Sequence, residues 1–257
     1  MKAIAIFDID GVIRDVGGSY RRAIADTVEH FTGSYRPTLA DIDRLKSEGI
    51  WNNDWEASRE LIGRHFESRG QSRDAIALDY DEMVAFFQSR YRGSDPDNWT
   101  GYICSEPLLC TPDYFRHLTD AAIGWGFFSG AMRDEALYVL RGKLDLRNPA
   151  LIAMEDAPGK PDPSGLFATI SQVEAEDSTL PVVYAGDTVA DLYTVQKARE
   201  HHPGRTWVGV GILPPHVREN PDRREAYEKT LKNAGATVVL DRVENLTPER
   251  ILAIIHP

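Results

Sequence analysis

Residues 3–7 are five consecutive apolar residues, AIAIF, and the run ends at Asp8, Asp10 and Gly11. A short apolar run with β-branched residues is typical of a strand that is buried on both faces of a parallel sheet. Ligands bind beyond the carboxyl ends of such strands, which is where the two carboxylates fall. Asp8 and Asp10 are two residues apart, so in extended backbone their side chains point to the same side. We therefore expect either acids that share a cation or a proton, or acids that only cap a turn.

A long helical stretch follows this first strand. Apolar residues recur at three- and four-residue spacing, which predicts helices over residues 19–31, 38–50, 54–69 and 80–91. Strand-like alternation does not appear between residues 19 and 110. We therefore predict an all-helical domain over residues 17–107, inserted into a core domain that comprises residues 1–16 and 108–257.

Strands and helices alternate through the rest of the chain. Apolar runs predict strands over residues 122–128, 151–154, 182–185, 206–210 and 237–240. The segments between and after them have helical spacing, over residues 131–141, 163–173, 189–200, 223–233 and 248–255. Such alternation predicts an α/β protein with a doubly wound, mainly parallel sheet.

Chemically useful residues follow the next three strands as well. Ser129 and Gly130 come at the start of a predicted helix, where a hydroxyl and free N–H groups can bind an anion. Lys160 lies in a loop that glycine and proline stiffen, and Asp187 and Asp191 follow the fourth strand. Each has an ordinary alternative, namely a serine cap, a solvated lysine, and acids in the first turn of a helix. Because parallel strands end at one edge of the sheet, their joint occurrence predicts an active site there.

Together these stretches resemble the four sequence motifs of the haloacid dehalogenase superfamily. The matching stretches are DIDGV at residues 8–12, FSG at 128–130, KPDP at 160–163 and GDTVAD at 186–191. The helical insert between the first two resembles the cap of subfamily I of that superfamily, and the resemblance covers essentially the whole chain. It implies a Rossmann-like, doubly wound parallel core with an inserted all-helical cap domain.

The resemblance also implies a role for each motif residue. Asp8 is expected to attack phosphorus and form an aspartyl-phosphate, and Asp10 to act first as general acid and then as general base. Ser129 and Gly130 are expected to bind the phosphoryl group together with Lys160, which offsets its charge. Mg²⁺ is the implied cofactor, and the implied metal-binding residues are Asp8, Asp10 through its backbone carbonyl, Asp187 and Asp191.

The resulting hypothesis is a Mg²⁺-dependent phosphatase that hydrolyses a small phosphorylated metabolite, such as a sugar or polyol phosphate. The second aspartate, Asp10, resembles phosphatases and phosphomutases, since dehalogenases of the superfamily lack it and transport ATPases have threonine there. A phosphomutase of the same fold is therefore one alternative. A non-hydrolytic metabolite-binding regulator is another, although phosphate-accepting receiver domains are shorter and lack a helical insert.

Arg21, Asn52 and Asn53 are the candidate substrate-binding residues of the helical insert. The two asparagines lie between two tryptophans, and such amides and indoles suit a sugar or polyol. The alternative is that asparagine caps the helix that follows while tryptophan packs against it. The connections between insert and core, residues 14–18 and 106–111, are predicted hinges.

The composition bears on partners and location. The chain has 40 acidic and 29 basic residues. The resulting net charge of −11 argues against nucleic acid as a partner. No apolar run reaches the roughly 20 residues of a membrane helix, and the first residues lack the pattern of a signal peptide. We therefore expect a cytoplasmic protein without a membrane partner, a monomer or homodimer, in which Cys104 and Cys110 are reduced.

Overall fold

The computed structural model of the chain describes residues 1–174 and 179–256. The strands are β1 Ala3–Phe7, β2 Ile123–Phe128, β3 Leu151–Ile152, β4 Val182–Gly186, β5 Trp207–Ile212 and β6 Val238–Leu240. They form one sheet in the order β3-β2-β1-β4-β5-β6, and every neighbouring pair is parallel. The α/β fold with a doubly wound parallel sheet is therefore confirmed.

Helices connect the strands and fill the insert. They are α1 Tyr20–Thr32, α2 Leu39–Lys46, α3 Asp54–Glu67, α4 Tyr80–Tyr91, α5 Pro112–Asp120, α6 Arg133–Leu137, α7 Ser164–Val173, α8 Val189–His201, α9 Pro215–Arg218, α10 Pro221–Asn233 and α11 Pro248–Ile255. The insert over residues 16–107 is described throughout and contains helices and turns but no strand. Within the described residues, no helix combines the length and the apolar character that crossing a bilayer requires.

Residue contacts divide the chain into two units. We call Met1–Asp15 with Leu108–Pro257 the sheet unit and Val16–Pro107 the helical unit. The predicted domain boundaries lie within one residue of these limits, and residues 175–178 and 257 of the predicted core fall outside the described residues. The role of the helical unit as a cap stays a prediction.

The strand β1 is buried on both faces, as its apolar run predicts. Phe7 belongs to an apolar cluster with residues of α5 and α11, whereas Ile6 belongs to a second cluster with residues of α7 and α8. Phe7 also lies in register with Phe127 of β2 and Ala185 of β4. The carboxyl ends of these three strands therefore lie side by side at one edge of the sheet.

Three predicted elements are shorter than their apolar patterns suggest. Helix α2 ends at Lys46 because the chain turns through Gly49, which has φ +79°. Strand β3 ends at Ile152 because the N–H of Ala153 donates to Oδ2 of Asp156 at 2.7 Å and begins a turn. Helix α6 spans only Arg133–Leu137, and a π-helical segment continues it to Lys143.

Candidate active site

Asp8 follows β1 directly, and only 6% of its surface is exposed. Its N–H donates to the carbonyl of Ala185 at 2.9 Å, which extends the contact with β4 by one residue. The chain then turns at Gly11, whose φ is +75°. A Cβ atom at Gly11 would lie 2.2 Å from Oδ2 of Asp187, so the turn and the close approach of this carboxylate both require glycine.

Lys160 connects two of the predicted acids. It lies between β3 and α7, and its Nζ is 2.8 Å from Oδ1 of Asp8 and 2.7 Å from Oδ1 of Asp191. The side chain is almost completely buried, and its ammonium group also lies over the rings of Phe128 and Tyr184. A lysine on the solvated surface, the ordinary alternative for this residue, does not describe it.

Asp191 accepts hydrogen bonds on both of its carboxylate oxygens. Its Oδ1 accepts from the hydroxyl of Tyr184 at 2.9 Å as well as from Lys160, and its Oδ2 accepts from the N–H and the hydroxyl of Thr188 at 3.0 and 2.8 Å. A Cβ at Gly186 would lie 2.3 Å from the Asp191 side chain, so glycine allows the first turn of α8 to pack on the end of β4. These contacts fix Asp191 in one orientation.

Asp8, Asp187 and Asp191 each place a carboxylate oxygen within 4.8 Å of the others, and all three are buried. When all three carboxylates are ionised, one lysine leaves an excess of negative charge, which a cation relieves. Because the donors are all oxygen atoms, the cluster fits a hard cation such as Mg²⁺ or Ca²⁺ better than a thiophilic metal. The cluster could therefore hold a metal ion.

The side chain of Asp10 is not among these three clustered carboxylates of the described chain. Its Oδ1 accepts a hydrogen bond from Nε of Arg14 at 2.5 Å, and it is partly exposed. Asp10 therefore lies at the same strand end as Asp8 but has a different partner.

Ser129 is buried at the end of β2, and its hydroxyl accepts from the N–H of Ala131 at 3.1 Å. Helix α6 begins only at Arg133, with Met132 before it, and comprises five residues. The prediction that Ser129 and Gly130 begin a helix is therefore wrong, since a turn separates them from it. Binding of phosphate by these two residues stays a prediction that rests on their place beside β1.

Burial and the neighbouring charges together shift the pKa values of Asp8, Lys160 and Asp191. Burial raises the pKa of Asp8 to about 7, an effect that Lys160 reduces and that Asp191 and Asp10 strengthen. Burial would also raise the pKa of Asp191, but the charge and hydrogen bond of Lys160 hold it below its ordinary value. Burial would lower the pKa of Lys160, yet Asp191 and Asp8 raise it above its ordinary value. Without a metal, Lys160 and Asp191 are charged and Asp8 keeps its proton up to about neutral pH.

The candidate residues of the helical unit have partners within that unit. Arg21 is buried and pairs with Asp43 at 2.5 Å. The side chain of Asn53 accepts from the N–H groups of Trp55 and Glu56, so it is the N-cap of α3, as the structural alternative predicts. A role for Arg21, Asn52 or Asn53 in binding substrate stays a prediction.

A cavity of about 500 Å³ within the sheet unit borders residues 8–14, the loop after β1 that we call the active-site loop. Its walls are mostly apolar and include Gly11, Leu108, Cys110, Ile212 and Arg218. None of the four clustered charged residues described above lines it. The cavity therefore adjoins the site but does not contain the carboxylate cluster.

Sequence reasoning missed three residues that organise the site. Thr188 forms a capping box with Asp191, and the spacing Thr-x-x-Asp is a readable signal for it. Arg14 lies four residues after Asp10, where no helix or strand pattern indicates a contact. Tyr184 belongs to a continuous apolar run, and nothing in the run shows that its hydroxyl reaches Asp191.

The chain is similar in sequence to one curated protein and similar in fold to many solved structures. No protein-family model matches the chain. A curated relative, the imidazoleglycerol-phosphate dehydratase of Phytophthora nicotianae, is 30% identical over 240 residues, which cover 91% of this chain and 49% of that protein. The chain thus spans about half the length of this relative.

Several solved structures share the fold over almost the whole chain. A phosphonoacetaldehyde hydrolase-like protein from Oleispira antarctica has a TM-score of 0.69 at 17% identity, covering 99% of this chain and 93% of that chain. A haloacid dehalogenase-like hydrolase from Bacteroides fragilis has a TM-score of 0.61 at 20% identity, covering 96% of this chain and 100% of that chain. Other chains with this fold are described as phosphatases and as a β-phosphoglucomutase. The chain therefore has the fold of the haloacid dehalogenase superfamily.

Proposed function

We propose that the chain is a Mg²⁺-dependent phosphatase that hydrolyses a small phosphorylated metabolite through an aspartyl-phosphate on Asp8. The observation that carries the proposal is the position of Lys160, whose buried ammonium group contacts both Asp8 and Asp191. A carboxylate can approach an anionic phosphoester only where positive charge offsets the repulsion. The chain also shares its fold with solved structures that are described as phosphatases, which supports the same function.

The cation-binding residues would be Asp8, Asp187 and Asp191, with the backbone carbonyl of Asp10. When bound, Mg²⁺ supplies positive charge that reduces repulsion of the phosphoryl oxygens and stabilises the transition state. The buried, all-oxygen donor set supports this ion. Ser129 and Gly130 would contact a phosphoryl oxygen from the neighbouring strand end.

In the first half-reaction, a carboxylate oxygen of Asp8 forms a bond to phosphorus while the bond from phosphorus to the ester oxygen breaks. Asp10 gives its proton to the departing oxygen, so that the product leaves as a neutral alcohol and Asp10 becomes a carboxylate. Lys160 stays charged throughout and offsets the negative charge that accumulates around phosphorus.

In the second half-reaction, a water oxygen forms a bond to phosphorus and the bond from phosphorus to the Asp8 oxygen breaks. Asp10 accepts one proton of this water and is restored to its acid form. The other proton remains on the phosphate that leaves. Asp8 is returned as the carboxylate, so the cycle closes without a net change in the protein.

The test is release of inorganic phosphate from a panel of sugar, polyol, glycolate and nucleotide phosphates, with Mg²⁺ and with EDTA. Wild type should turn over at least one ester only with metal, and Asp8→Asn should abolish turnover. The matched control is Asp145→Asn, the same change at an exposed residue of the sheet unit. Asp145 has φ +54°, a conformation that asparagine also adopts, so the control should keep full activity.

Two other functions have an observation in their favour. The fold shared with a β-phosphoglucomutase favours transfer of the phosphoryl group within a sugar phosphate. The 30% identity to a dehydratase favours loss of water from imidazoleglycerol phosphate. The panel therefore includes that compound and a sugar phosphate, with isomerised and dehydrated products measured beside free phosphate. Either product without phosphate release would contradict the phosphatase proposal.

The helical unit would supply substrate selectivity, with Arg21, Asn52 and Asn53 as the residues to test first. A cytoplasmic location and a monomeric or homodimeric state belong to the same proposal. Substitution of Asn52, which α3 does not use as its cap, separates binding from helix stability. Asn52→Ala should raise KM for the best substrate and leave the unfolding temperature unchanged if the amide binds substrate.

A further inference from the structure

Arg14 is a completely buried arginine in the active-site loop. Its side chain has 0% exposure, although arginine is among the residues that are least often buried without a partner. Its Nε donates to Oδ1 of Asp10 at 2.5 Å, a charge-assisted hydrogen bond. The contact joins the arginine to the residue that the proposed mechanism uses for proton transfer.

The backbone holds both residues in one short loop. The N–H of Arg14 donates to the carbonyl of Ile9 at 3.1 Å, and the carbonyl of Arg14 accepts from the N–H of Gly11 at 2.9 Å. The N–H of Leu109 donates to the carbonyl of Ile13 at 2.8 Å, which ties the loop to the start of the second segment of the sheet unit. The loop that carries Asp10 is therefore closed by hydrogen bonds at the position of Arg14.

Fixing the Asp10 side chain needs more than a fixed backbone. An aspartate side chain without a partner samples several rotamers. The carboxylate of Asp10 is partly exposed, so packing alone does not fix it. The guanidinium group holds one oxygen, Oδ1, from a buried position. The second oxygen, Oδ2, can then exchange a proton while the carboxylate keeps its orientation.

We propose that Arg14 is a positioning residue, which holds the Asp10 carboxyl group in the orientation that delivers its proton to the leaving oxygen. The inference rests on the proposed phosphatase function. The structural alternative is that Arg14 only stabilises the loop, in which case its loss would affect all substrates alike.

Leaving groups distinguish the two roles. An alkoxide is a strong base and needs a proton as the ester bond breaks, whereas p-nitrophenolate is a stable anion and leaves without one. Misplacing the Asp10 carboxyl group should therefore slow cleavage of an alkyl phosphate much more than cleavage of p-nitrophenyl phosphate. A damaged loop would slow both.

The experiment measures ester cleavage under single-turnover conditions, because that rate reports the first half-reaction only. The variants are Arg14→Met, Arg14→Lys, Asp10→Asn and the double variant of Arg14→Met with Asp10→Asn. Arg14→Met should slow cleavage of the best alkyl ester on the order of 10- to 100-fold, within the range of general acid catalysis. Cleavage of p-nitrophenyl phosphate should fall less than about threefold, and KM should be unchanged.

Arg14→Lys keeps the charge but loses the planar donor group, so we expect a loss smaller than that of Arg14→Met. The double variant should cleave the alkyl ester at the rate of Asp10→Asn alone, because in the proposed role Arg14 affects cleavage through Asp10. Arg205→Met is the matched control, because it breaks the ion pair with Glu174 near the opposite, amino-terminal end of β5. It should not distinguish the two esters.

Equal losses on both esters, or unchanged or faster cleavage of the alkyl ester, would overturn the positioning role. Additive losses in the double variant would overturn it as well. If Arg14→Met does not fold, Arg14→Lys and Asp10→Asn are compared instead. The positioning role then requires that both variants lose more activity on the alkyl ester than on p-nitrophenyl phosphate. A wild-type protein that cleaves neither ester refutes the phosphatase proposal itself and with it this inference, an outcome visible before any variant is compared.

Discussion

Nζ of Lys160 lies 2.8 Å from Oδ1 of Asp8, and both side chains are buried. An ammonium group in this position offsets the negative charge of a site that holds three buried acids. The same contact places positive charge next to the atom that would attack phosphorus. We therefore expect both the stability of the metal-free protein and the proposed reactivity to depend on this side chain.

Lys160→Met should destabilise the metal-free protein by roughly 3–5 kcal/mol, because it leaves buried acids without their cationic partner. Urea unfolding followed by circular dichroism measures the change. Lys229→Met, at an exposed position of α10, should change stability by less than about 0.5 kcal/mol. Equal stabilities for wild type and Lys160→Met would show that the acids do not need this lysine.

Gly11→Ala should lower both stability and phosphatase activity. The new Cβ would lie 2.2 Å from Oδ2 of Asp187 and would also require a positive φ from alanine. The backbone strain alone costs on the order of 1–2 kcal/mol, and displacement of Asp187 adds to it. The loss of activity should persist at saturating substrate, since the carboxylate cluster itself is displaced.

Gly33→Ala is the matched control for this prediction. Gly33 has φ +71°, but no atom lies within 4 Å of its would-be Cβ. It should show the backbone cost alone, with normal activity in the folded protein. Thermal unfolding and phosphate release on both variants separate strain from displacement, and an active Gly11→Ala enzyme would contradict the role given to the close approach.

Asp8 should contribute a fall in the stability of the metal-free protein as pH rises from 3.8 to about 7. Burial raises the pKa of folded Asp8, so in this range the folded state keeps a proton that the unfolded state has lost. The slope from this group is at most about 1.4 kcal/mol per pH unit. The lowered pKa of Asp191 acts only below this window and the raised pKa of Lys160 only above it.

Urea unfolding of EDTA-treated protein across this pH range measures the slope. Asp8→Asn should remove the contribution, so its stability relative to wild type should increase as pH rises. A constant difference between the two proteins from pH 4 to pH 7 would contradict the raised pKa.

Mg²⁺ should raise the unfolding temperature of the wild-type protein, because it binds the folded carboxylate cluster and not the unfolded chain. At about 100 times the dissociation constant, the gain is about 2.7 kcal/mol. Asp187→Asn should lose most of this gain, whereas Asp145→Asn should keep it. Calorimetric scans with Mg²⁺ and with EDTA test this without any substrate, and an equal gain for all three proteins would place the ion elsewhere.

The ends of β1, β2 and β4 could be predicted from the sequence because each of these buried strands is a continuous apolar run that stops at a polar residue. Asp8, Lys160 and Asp191 could therefore be assigned to one edge of the sheet, and the structure brings them into contact. Their separation along the chain did not matter, since the parallel register carries each strand end to the same edge.

Side-chain partners in the turns could not be predicted in the same way. The contact between Arg14 and Asp10 depends on the path of a loop that Gly11 turns with a positive φ, for which no periodicity exists. The predicted start of α6 at residue 131 is too early, because Ala131 and Met132 lie in a turn before the helix begins at Arg133. Local hydrogen bonds determine the side-chain partners in these turns and the residue at which α6 begins. The order of apolar and polar residues does not indicate those hydrogen bonds.

The pairing of β1 on both sides has a consequence for how such a chain can change in length. Phe7 is held in register with β2 and β4, and Asp8 is the next residue. One residue inserted into β1 would shift the acid by about 3.3 Å and move alternate side chains to the opposite faces of the sheet. Insertions and deletions should therefore be tolerated between the helices of the insert but not before Asp8, so the spacing from the first strand to the first acid is as much a part of the site as the acid itself.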